Sequence, residues 1–145
     1  MIQGRFYSRS VEDTLDLGGR LAADLKGGMS IALRGDLGLG KTHFAKGIIT
    51  ARTGVEKDDI PSPTFTLIEE YDGNPKIYHV DLYRLEKKSE LLELPWDDLM
   101  SPNAISLIEW PERIPPEISP CQIEVVFSKA KDSQRVIEIV LKDLL

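Results

Sequence analysis

Short apolar runs alternate along this chain with segments in which apolar residues recur every three or four positions, a pattern typical of an α/β fold. A first strand is predicted at residues 6–7, and an amphipathic helix follows it. Ser10 and Asp13 have the spacing of a helix N-cap and its reciprocal acid, and helical spacing of apolar residues continues to Leu25. Residues 27–28, both glycine, are expected to end this helix.

The next two predicted elements enclose a glycine-rich segment. Residues 29–33 are mostly apolar and typical of a short buried strand, and apolar residues return at helical spacing from Phe44 until Gly54. Strand, glycine-rich loop and helix, in that order, form the setting that a phosphate-binding loop requires.

The second half of the sequence predicts hairpins and short helices. The predicted elements are an antiparallel pair at 64–70 and 76–81 around a turn at 72–74, short helices at 89–94 and 96–100 broken by Pro95, an apolar strand at 104–110, and a closing hairpin of 122–128 with 135–141. We therefore expect a mixed β-sheet with antiparallel hairpins flanked by helices. A length of 145 residues suits a single domain spanning residues 1–145.

Residues 35–42 match the phosphate-binding pattern of glycine, four residues and Gly-Lys-Ser/Thr without deviation. The candidate nucleotide contacts in this segment are Gly35, Asp36, Leu37, Gly38, Leu39, Gly40, Lys41 and Thr42. The glycines permit backbone conformations in which successive N–H groups surround phosphates, and Lys41 adds positive charge. Thr42 would begin a helix whose positive dipole end faces the same phosphates. The expected fold is therefore a P-loop NTPase-like domain.

Carboxylates at two predicted strand ends are the candidate partners of this loop. Glu109 follows an apolar run, the position at which P-loop proteins bring a carboxylate beside Mg²⁺. Asp81 also ends a strand, where open sheets place ligand-binding groups, and it shares a face with His79. A lone histidine on a strand is usually structural, and we interpret His79 in that way. His43, in the first turn of the loop's helix, is treated likewise.

A stiff, extended segment with two prolines lies at residues 60–67. In nucleotide switches, a threonine hydroxyl in such a segment senses the γ-phosphate and its Mg²⁺, so Ser62, Thr64 and Thr66 are candidate switch residues. A rigid connector into a strand explains the same pattern equally well. Ser10, at the start of the first helix, could line a base pocket, although core packing is the simpler explanation of that helix.

Composition narrows the possible partners and compartment. A formal net charge of −6 argues against a large footprint on RNA or DNA, so any link to RNA is expected to be indirect. Cys121 has no cysteine partner within the sequence, which agrees with a reducing cytoplasm. Residues 1–5 lack the apolar region of a secretory signal, and no stretch of about 20 apolar residues predicts a membrane helix.

Four segments, taken in their order and spacing, resemble the bacterial TsaE (YjeE) family: residues 35–42, 62–67, 79–85 and 108–111. The resemblance covers nearly the whole chain. It implies a small cytoplasmic P-loop ATPase that uses ATP and Mg²⁺ and is needed to make threonylcarbamoyladenosine next to the anticodon of tRNA. It also implies binding to the TsaD–TsaB pair and weak activity without those partners.

The family's functional positions fall on specific residues of this chain. The resemblance places Lys41 on the β- and γ-phosphates, Thr42 and Glu109 at Mg²⁺, and Asp81 where it orients the attacking water. Leu39 stands where the family usually has alanine, and His43 replaces a small or hydroxyl residue. Leu39 leaves the glycines of the loop in place, whereas His43, counted among the candidate nucleotide contacts, could alter affinity.

Other functions and contacts stay open at the level of sequence. A nucleotide-gated assembly module with incidental hydrolysis is the main alternative, and a small-molecule kinase is the next, although no arginine-rich lid is visible. A GTPase is disfavoured because no Asn-Lys-x-Asp segment occurs. Arg84 is interpreted either as a charge donor to the nucleotide or as part of a salt bridge, and Arg135, in the closing hairpin, could reach the nucleotide.

Overall fold

A computed structural model of the chain describes residues 1–63, 66–118 and 121–142. Its strands are β1 (Gly4–Ser8), β2 (Ser30–Arg34), β3 (Ile68–Tyr71), β4 (Lys76–Asp81), β5 (Ala104–Glu109), β6 (Ile123–Lys129) and β7 (Arg135–Leu141). Its α-helices are α1 (Val11–Ala22), α2 (Lys41–Thr53), α3 (Lys88–Leu92) and α4 (Trp96–Leu99), and 3₁₀ turns occur at Lys57–Asp59 and Pro111–Arg113.

The strands of the described residues form one sheet in the order β1-β7-β6-β2-β5-β4-β3. The central strand β2 is parallel to both β5 and β6, and β5 is parallel to β4. Strands β7, β1 and β3 are added antiparallel at the two sides. The predicted mixed α/β sheet with antiparallel hairpins is therefore confirmed. Because β2, β4 and β5 run in the same direction, their carboxyl ends meet at one edge, where open α/β sheets bind ligands.

Apolar side chains cover both faces of the sheet. Helices α1 and α2 pack on one face, where the buried residues of β2 are Ile31 and Leu33. Helices α3 and α4 pack on the other face, against Val80 and Ile108. The central strands are thus buried on both faces, as expected of parallel strands, which explains why β5 is a nearly continuous apolar run.

Helices α1 and α2 approach each other through glycines. A Cβ atom on Gly18 of α1 would lie 2.3 Å from the carbonyl oxygen of Phe44, and one on Gly47 of α2 would lie 2.2 Å from that of Leu15. Contacts this short with backbone cannot be relieved by a side-chain rotation. The two glycines therefore set the separation of the helices, and with it the position of the N-terminus of α1 near the N-terminus of α2.

We expect Gly18→Ala to lower the free energy of unfolding by about 1–3 kcal/mol, because the added methyl group forces the helices apart. The neighbouring Gly19→Ala is the matched control. A Cβ atom on Gly19 meets nothing closer than 3.8 Å, so alanine there should raise stability by about 0.5–1 kcal/mol through helix propensity. Urea unfolding of both variants measures the difference, and equal effects at the two positions would contradict the close helix packing.

Two predicted element boundaries differ from the structure by more than two residues. Helix α1 ends at Ala22 and not at residues 27–28. The chain leaves the helix through two successive turns, in which the N–H groups of Asp24 and Leu25 donate to the carbonyls of Leu21 and Ala22. Strand β3 begins at Ile68, because Leu67, with φ of 73°, is not extended; residues 64–65 of the predicted strand lie outside the described residues. Within the described ranges, no helix has the length and apolar character needed to cross a bilayer.

Candidate nucleotide site

A cleft of about 540 Å³ opens at the carboxyl edge of β2, β4 and β5, between the N-termini of α1 and α2. Its lining comes from four parts of the chain: the β1–α1 junction, the P-loop with the first turn of α2, the ends of β4 and β5, and the β6–β7 turn. The lining residues are Ser8, Arg9, Ser10, Val11, Thr14, Leu37, Gly38, Leu39, Gly40, Lys41, Thr42, His43, Asp81, Tyr83, Glu109, Trp110, Ser133 and Arg135.

Backbone geometry explains why the P-loop, residues 35–42, requires glycine. Gly35 has φ of 150°, and a Cβ atom there would lie 2.7 Å from the carbonyl oxygen of Phe127 on β6. Gly40 is the N-cap of α2 in the left-handed conformation, with φ of 100°, and it offers no side-chain cap to the first turn. The N–H groups of that turn therefore face the cleft without a capping side chain, which is the arrangement that binds phosphate at a helix N-terminus.

Lys41 places its ammonium group inside the cleft. The residue is only 4% exposed, Nζ donates to the carbonyl of Gly35, and Nζ lies 4.0 Å from the centre of the Trp110 ring. Desolvation lowers the pKa of Lys41, although the negative charges of Glu109 and other nearby acids oppose this shift. The attraction between a cation and a bound anion is stronger when the cation is partly desolvated than when it is exposed to water. The Lys41 ammonium group is therefore well suited to bind a phosphate oxygen.

Trp110 is held over Lys41 by an uncommon backbone conformation. It directly follows β5 with φ of 62°, in the left-handed region that side-chain-bearing residues rarely adopt. Its ring lies 4.8 Å from that of Tyr83, and both residues line the cleft. Trp110 and Tyr83 thus form an aromatic surface beside the ammonium group of Lys41. Uncommon backbone conformations such as that of Trp110 cluster at functional sites.

Thr42, Glu109 and His79 form a connected polar group beside Lys41. The Thr42 hydroxyl lies 3.1 Å from each carboxylate oxygen of Glu109, and His79 Nε2 lies 2.7 Å from Glu109 Oε2. His79 is fully buried, and Glu109 is 3% exposed. The carboxylate at the end of β5 is therefore stabilised by a hydroxyl from α2 and an imidazole from β4.

Asp81 lies directly across from Glu109. The parallel register of β4 and β5 pairs these two residues, so both carboxyl groups reach the same edge of the sheet. Asp81 is 6% exposed, and its Oδ1 accepts the N–H of Tyr83 at 2.9 Å. The structure thus brings Glu109 next to the hydroxyl of Thr42, and both acids close enough to Lys41 for their charges to act on its ammonium group.

The N-terminus of α1 and the start of β7 also contribute to the cleft lining. The Ser10 hydroxyl caps α1 by accepting the N–H of Asp13 at 3.0 Å, and Ser10 also lines the cleft. The Arg135 guanidinium donates to the carbonyl of Gly38 at 3.2 Å, so β7 reaches the P-loop. At His43, desolvation and the nearby lysines Lys46 and Lys57 lower the pKa, which favours the neutral imidazole.

Some candidates do not line this cleft, and some lining residues were not foreseen. Gly35 and Asp36 belong to the P-loop but are not among the residues that line the cleft. Ser62, Thr66 and Arg84 do not line it either, and Thr64 falls outside the described residues. The unforeseen lining residues are Ser8, Arg9, Val11, Thr14, Tyr83 and Ser133. The place of Tyr83 in the cleft is predictable from the sequence, because Tyr83 follows Asp81 by two positions and the sequence predicts that a strand ends at Asp81.

The oxygen donors at this site fit Mg²⁺. Thr42 and Glu109 are hard ligands 3.1 Å apart, and Asp81 is paired with Glu109 across the sheet. The described parts of the chain contain no group of three or more His, Cys, Asp or Glu side chains that could hold a metal ion by themselves. Mg²⁺ usually binds through one or two carboxylates together with phosphates and water, so a site of this kind would be completed by a nucleotide.

Comparison with known proteins agrees with the resemblance of the sequence motifs to the TsaE family. The sequence model of the family described as "Threonylcarbamoyl adenosine biosynthesis protein TsaE" matches residues 8–137. The chain is similar to the "tRNA threonylcarbamoyladenosine biosynthesis protein TsaE" of Nostoc sp., with 42% identity over 93% of this chain and 84% of that protein. The protein of the same name from Rickettsia conorii is 41% identical over 90% of this chain and 74% of its own length.

A solved structure shares the fold. The crystal structure of Bacillus subtilis YdiB superposes with a TM-score of 0.75 and 30% identity, covering 97% of this chain and 87% of that chain. The family match spans most of the sequence, including the P-loop and the ends of β4 and β5. The chain therefore belongs to the TsaE family.

Proposed function

We propose that this chain binds ATP with Mg²⁺ and hydrolyses it as part of threonylcarbamoyladenosine formation on tRNA. One observation carries the proposal: Lys41, Thr42, Asp81 and Glu109 line the same cleft as the P-loop, with Thr42 hydrogen-bonded to Glu109 and Asp81 in register with it. The relatives are named for tRNA threonylcarbamoyladenosine biosynthesis, which supplies the process in which the nucleotide site would act.

The P-loop is the proposed site of the triphosphate. The N–H groups at the start of α2 bind the phosphates, and the Lys41 ammonium leaves the Gly35 carbonyl to contact the β- and γ-phosphates. Ser10 and Arg135, which also line the cleft, are then left to contact the nucleoside. ATP is favoured over GTP because the sequence contains no Asn-Lys-x-Asp segment.

Hydrolysis would depend mainly on positioning and charge. Water attacks the γ-phosphorus, the bond to the β-phosphate oxygen breaks, and ADP and inorganic phosphate are released. Asp81 accepts a hydrogen bond from the attacking water, and Lys41 stabilises the negative charge that develops on the transferred group. Thr42 and Glu109 would hold Mg²⁺, which when bound neutralises charge on the β- and γ-phosphates.

The proposal extends to partners and organisation. We propose that residues 1–145 act as a single domain in the cytoplasm, that turnover by the chain alone is slow, and that the TsaD–TsaB pair stimulates it. The tRNA would then be contacted indirectly, since the net charge of −6 disfavours a large phosphate footprint on this chain.

Steady-state hydrolysis tests this function. Phosphate release is measured from ATP and from GTP, with Mg²⁺ or with EDTA, for the chain alone and mixed with TsaD and TsaB. We expect Mg²⁺-dependent release from ATP that rises at least tenfold with the partners, and little release from GTP. Transfer of the γ-phosphate to an added small molecule, or preference for GTP, would contradict the proposal.

A further inference from the structure

His79 is a fully buried polar residue with a contact that its position in the sequence does not explain. It lies in the middle of β4, which pairs with β3 on one side and β5 on the other. Its Nε2 atom lies 2.7 Å from Glu109 Oε2, whereas its Nδ1 atom has no hydrogen-bond partner. A buried imidazole with a single partner, which is the carboxylate of a candidate metal ligand, calls for an explanation.

The partners of the ring determine where its proton lies. A carboxylate accepts hydrogen bonds, so the nitrogen that faces Glu109 must carry the hydrogen. The unpartnered Nδ1 atom then keeps its lone pair, which is the less costly arrangement because a buried N–H without an acceptor would be left unsatisfied. His79 therefore donates through Nε2 to Oε2 of Glu109.

Glu109 has two side-chain donors among the described residues, and they are not equivalent. The Thr42 hydroxyl belongs to the phosphate site and has its own proposed role at Mg²⁺. The His79 imidazole stands outside the cleft lining, within the sheet, where it cannot be reached by a ligand. Of these two donors, His79 is the one that can hold the carboxylate in place independently of what occupies the P-loop.

We propose that His79 is a positioning residue that fixes the orientation of the Glu109 carboxylate and thereby raises the affinity of the nucleotide site for its metal ion. The inference rests on the proposed function, because it takes Glu109 as a metal-side residue. Hydrogen-bond partners of metal ligands typically change metal affinity by 10- to 100-fold when they are removed. The sheet on both sides of β4 gives the imidazole a fixed direction.

Three substitutions separate the donor from the packing. His79→Leu fills the buried position with an apolar side chain and removes the hydrogen-bond donor to Glu109. His79→Gln presents an amide N–H near the position of Nε2, whereas His79→Asn presents one near Nδ1 and too far from Glu109. The Gln variant is therefore the conservative rescue, and the Asn variant is its matched control with the same functional group.

The readout is the metal-dependent part of nucleotide affinity. Calorimetry gives the affinity of each protein for the non-hydrolysable analogue AMP-PNP with Mn²⁺ and with EDTA, and the ratio of the two affinities isolates the metal. We expect His79→Leu and His79→Asn to lower this ratio at least tenfold, His79→Gln to retain most of it, and the affinity measured with EDTA to stay within about twofold in all variants.

The outcomes distinguish the two proposals. A clear effect of Mn²⁺ on the wild-type chain together with an unchanged ratio in His79→Leu would overturn the role of His79 alone. A wild-type ratio near one would overturn the metal site of the proposed function. Should His79→Leu fail to fold in a thermal unfolding scan, the pair His79→Gln and His79→Asn decides, and equal ratios in those two variants would overturn the inference.

Discussion

Replacing Lys41 with methionine is expected to weaken ATP binding by about 10- to 100-fold, because a charge-assisted hydrogen bond contributes about 1.5–3 kcal/mol. Methionine keeps a long apolar side chain at this position and removes the ammonium group that lies over Trp110. The effect should be large because Lys41 is 4% exposed, so the lost charge is one that water screens poorly. Calorimetric titration with ATP and Mg²⁺ measures the change.

Lys46→Met is the matched control for this prediction. Lys46 lies on the same helix, five residues after Lys41, and does not line the cleft. The substitution removes the same charge from the same element, so it should change ATP affinity by no more than about twofold. If Lys41→Met bound ATP as tightly as Lys46→Met, the phosphates would have to lie elsewhere in the cleft.

The phosphate-binding part of the site is predictable from the sequence because it is local. The glycines of the P-loop, Lys41 and Thr42 lie within eight consecutive residues, and the strand, loop and helix around them follow from short-range patterns. The same holds for Ser10, whose hydroxyl caps α1 by accepting the backbone N–H of Asp13, three positions later. Helix caps and turns are determined by neighbouring residues, so periodicity and spacing are sufficient to find them.

The contacts of Glu109 could not be predicted in the same way because they join distant segments. Spacing put His79 and Asp81 on one face of a strand, but not beside β5, since strand order and register depend on the whole sheet. The observed register pairs Asp81 with Glu109 and brings His79 to the carboxylate. The contact of Arg135 with Gly38 is of the same kind, because it spans 97 positions.

The interpretation of His79 as a structural residue therefore needs refinement. The side chain is buried and packed in the sheet, as a structural histidine would be, but its hydrogen bond goes to a residue of the cleft. A single buried histidine gives no sign in the sequence of which acid it will meet. The switch interpretation of Ser62 and Thr66 stays a prediction, since neither residue lines the cleft.

Replacing Glu109 with glutamine is expected to lower ATP turnover on the order of 100-fold, because the loss of a preorganised charge at a phosphoryl-transfer site has an effect of this size. Glutamine has nearly the same shape and can still contact Thr42 and His79, so the fold should be retained. ATP should still bind, since the P-loop and Lys41 are unchanged. Single-turnover hydrolysis and ATP titration, measured on the same preparation with TsaD and TsaB present, separate the two effects.

Glu138→Gln is the control for charge, and assembly is the second readout. Glu138 lies on β7 outside the cleft lining, half-exposed and 3.6 Å from Arg5, so its loss should leave turnover within about twofold. If Glu109→Gln abolishes both turnover and tRNA modification, hydrolysis is required for function. If Glu109→Gln hydrolyses no ATP but still assembles with the partners and supports modification, the chain acts as a nucleotide-gated assembly module, in which binding of ATP and not its cleavage is what the cleft provides.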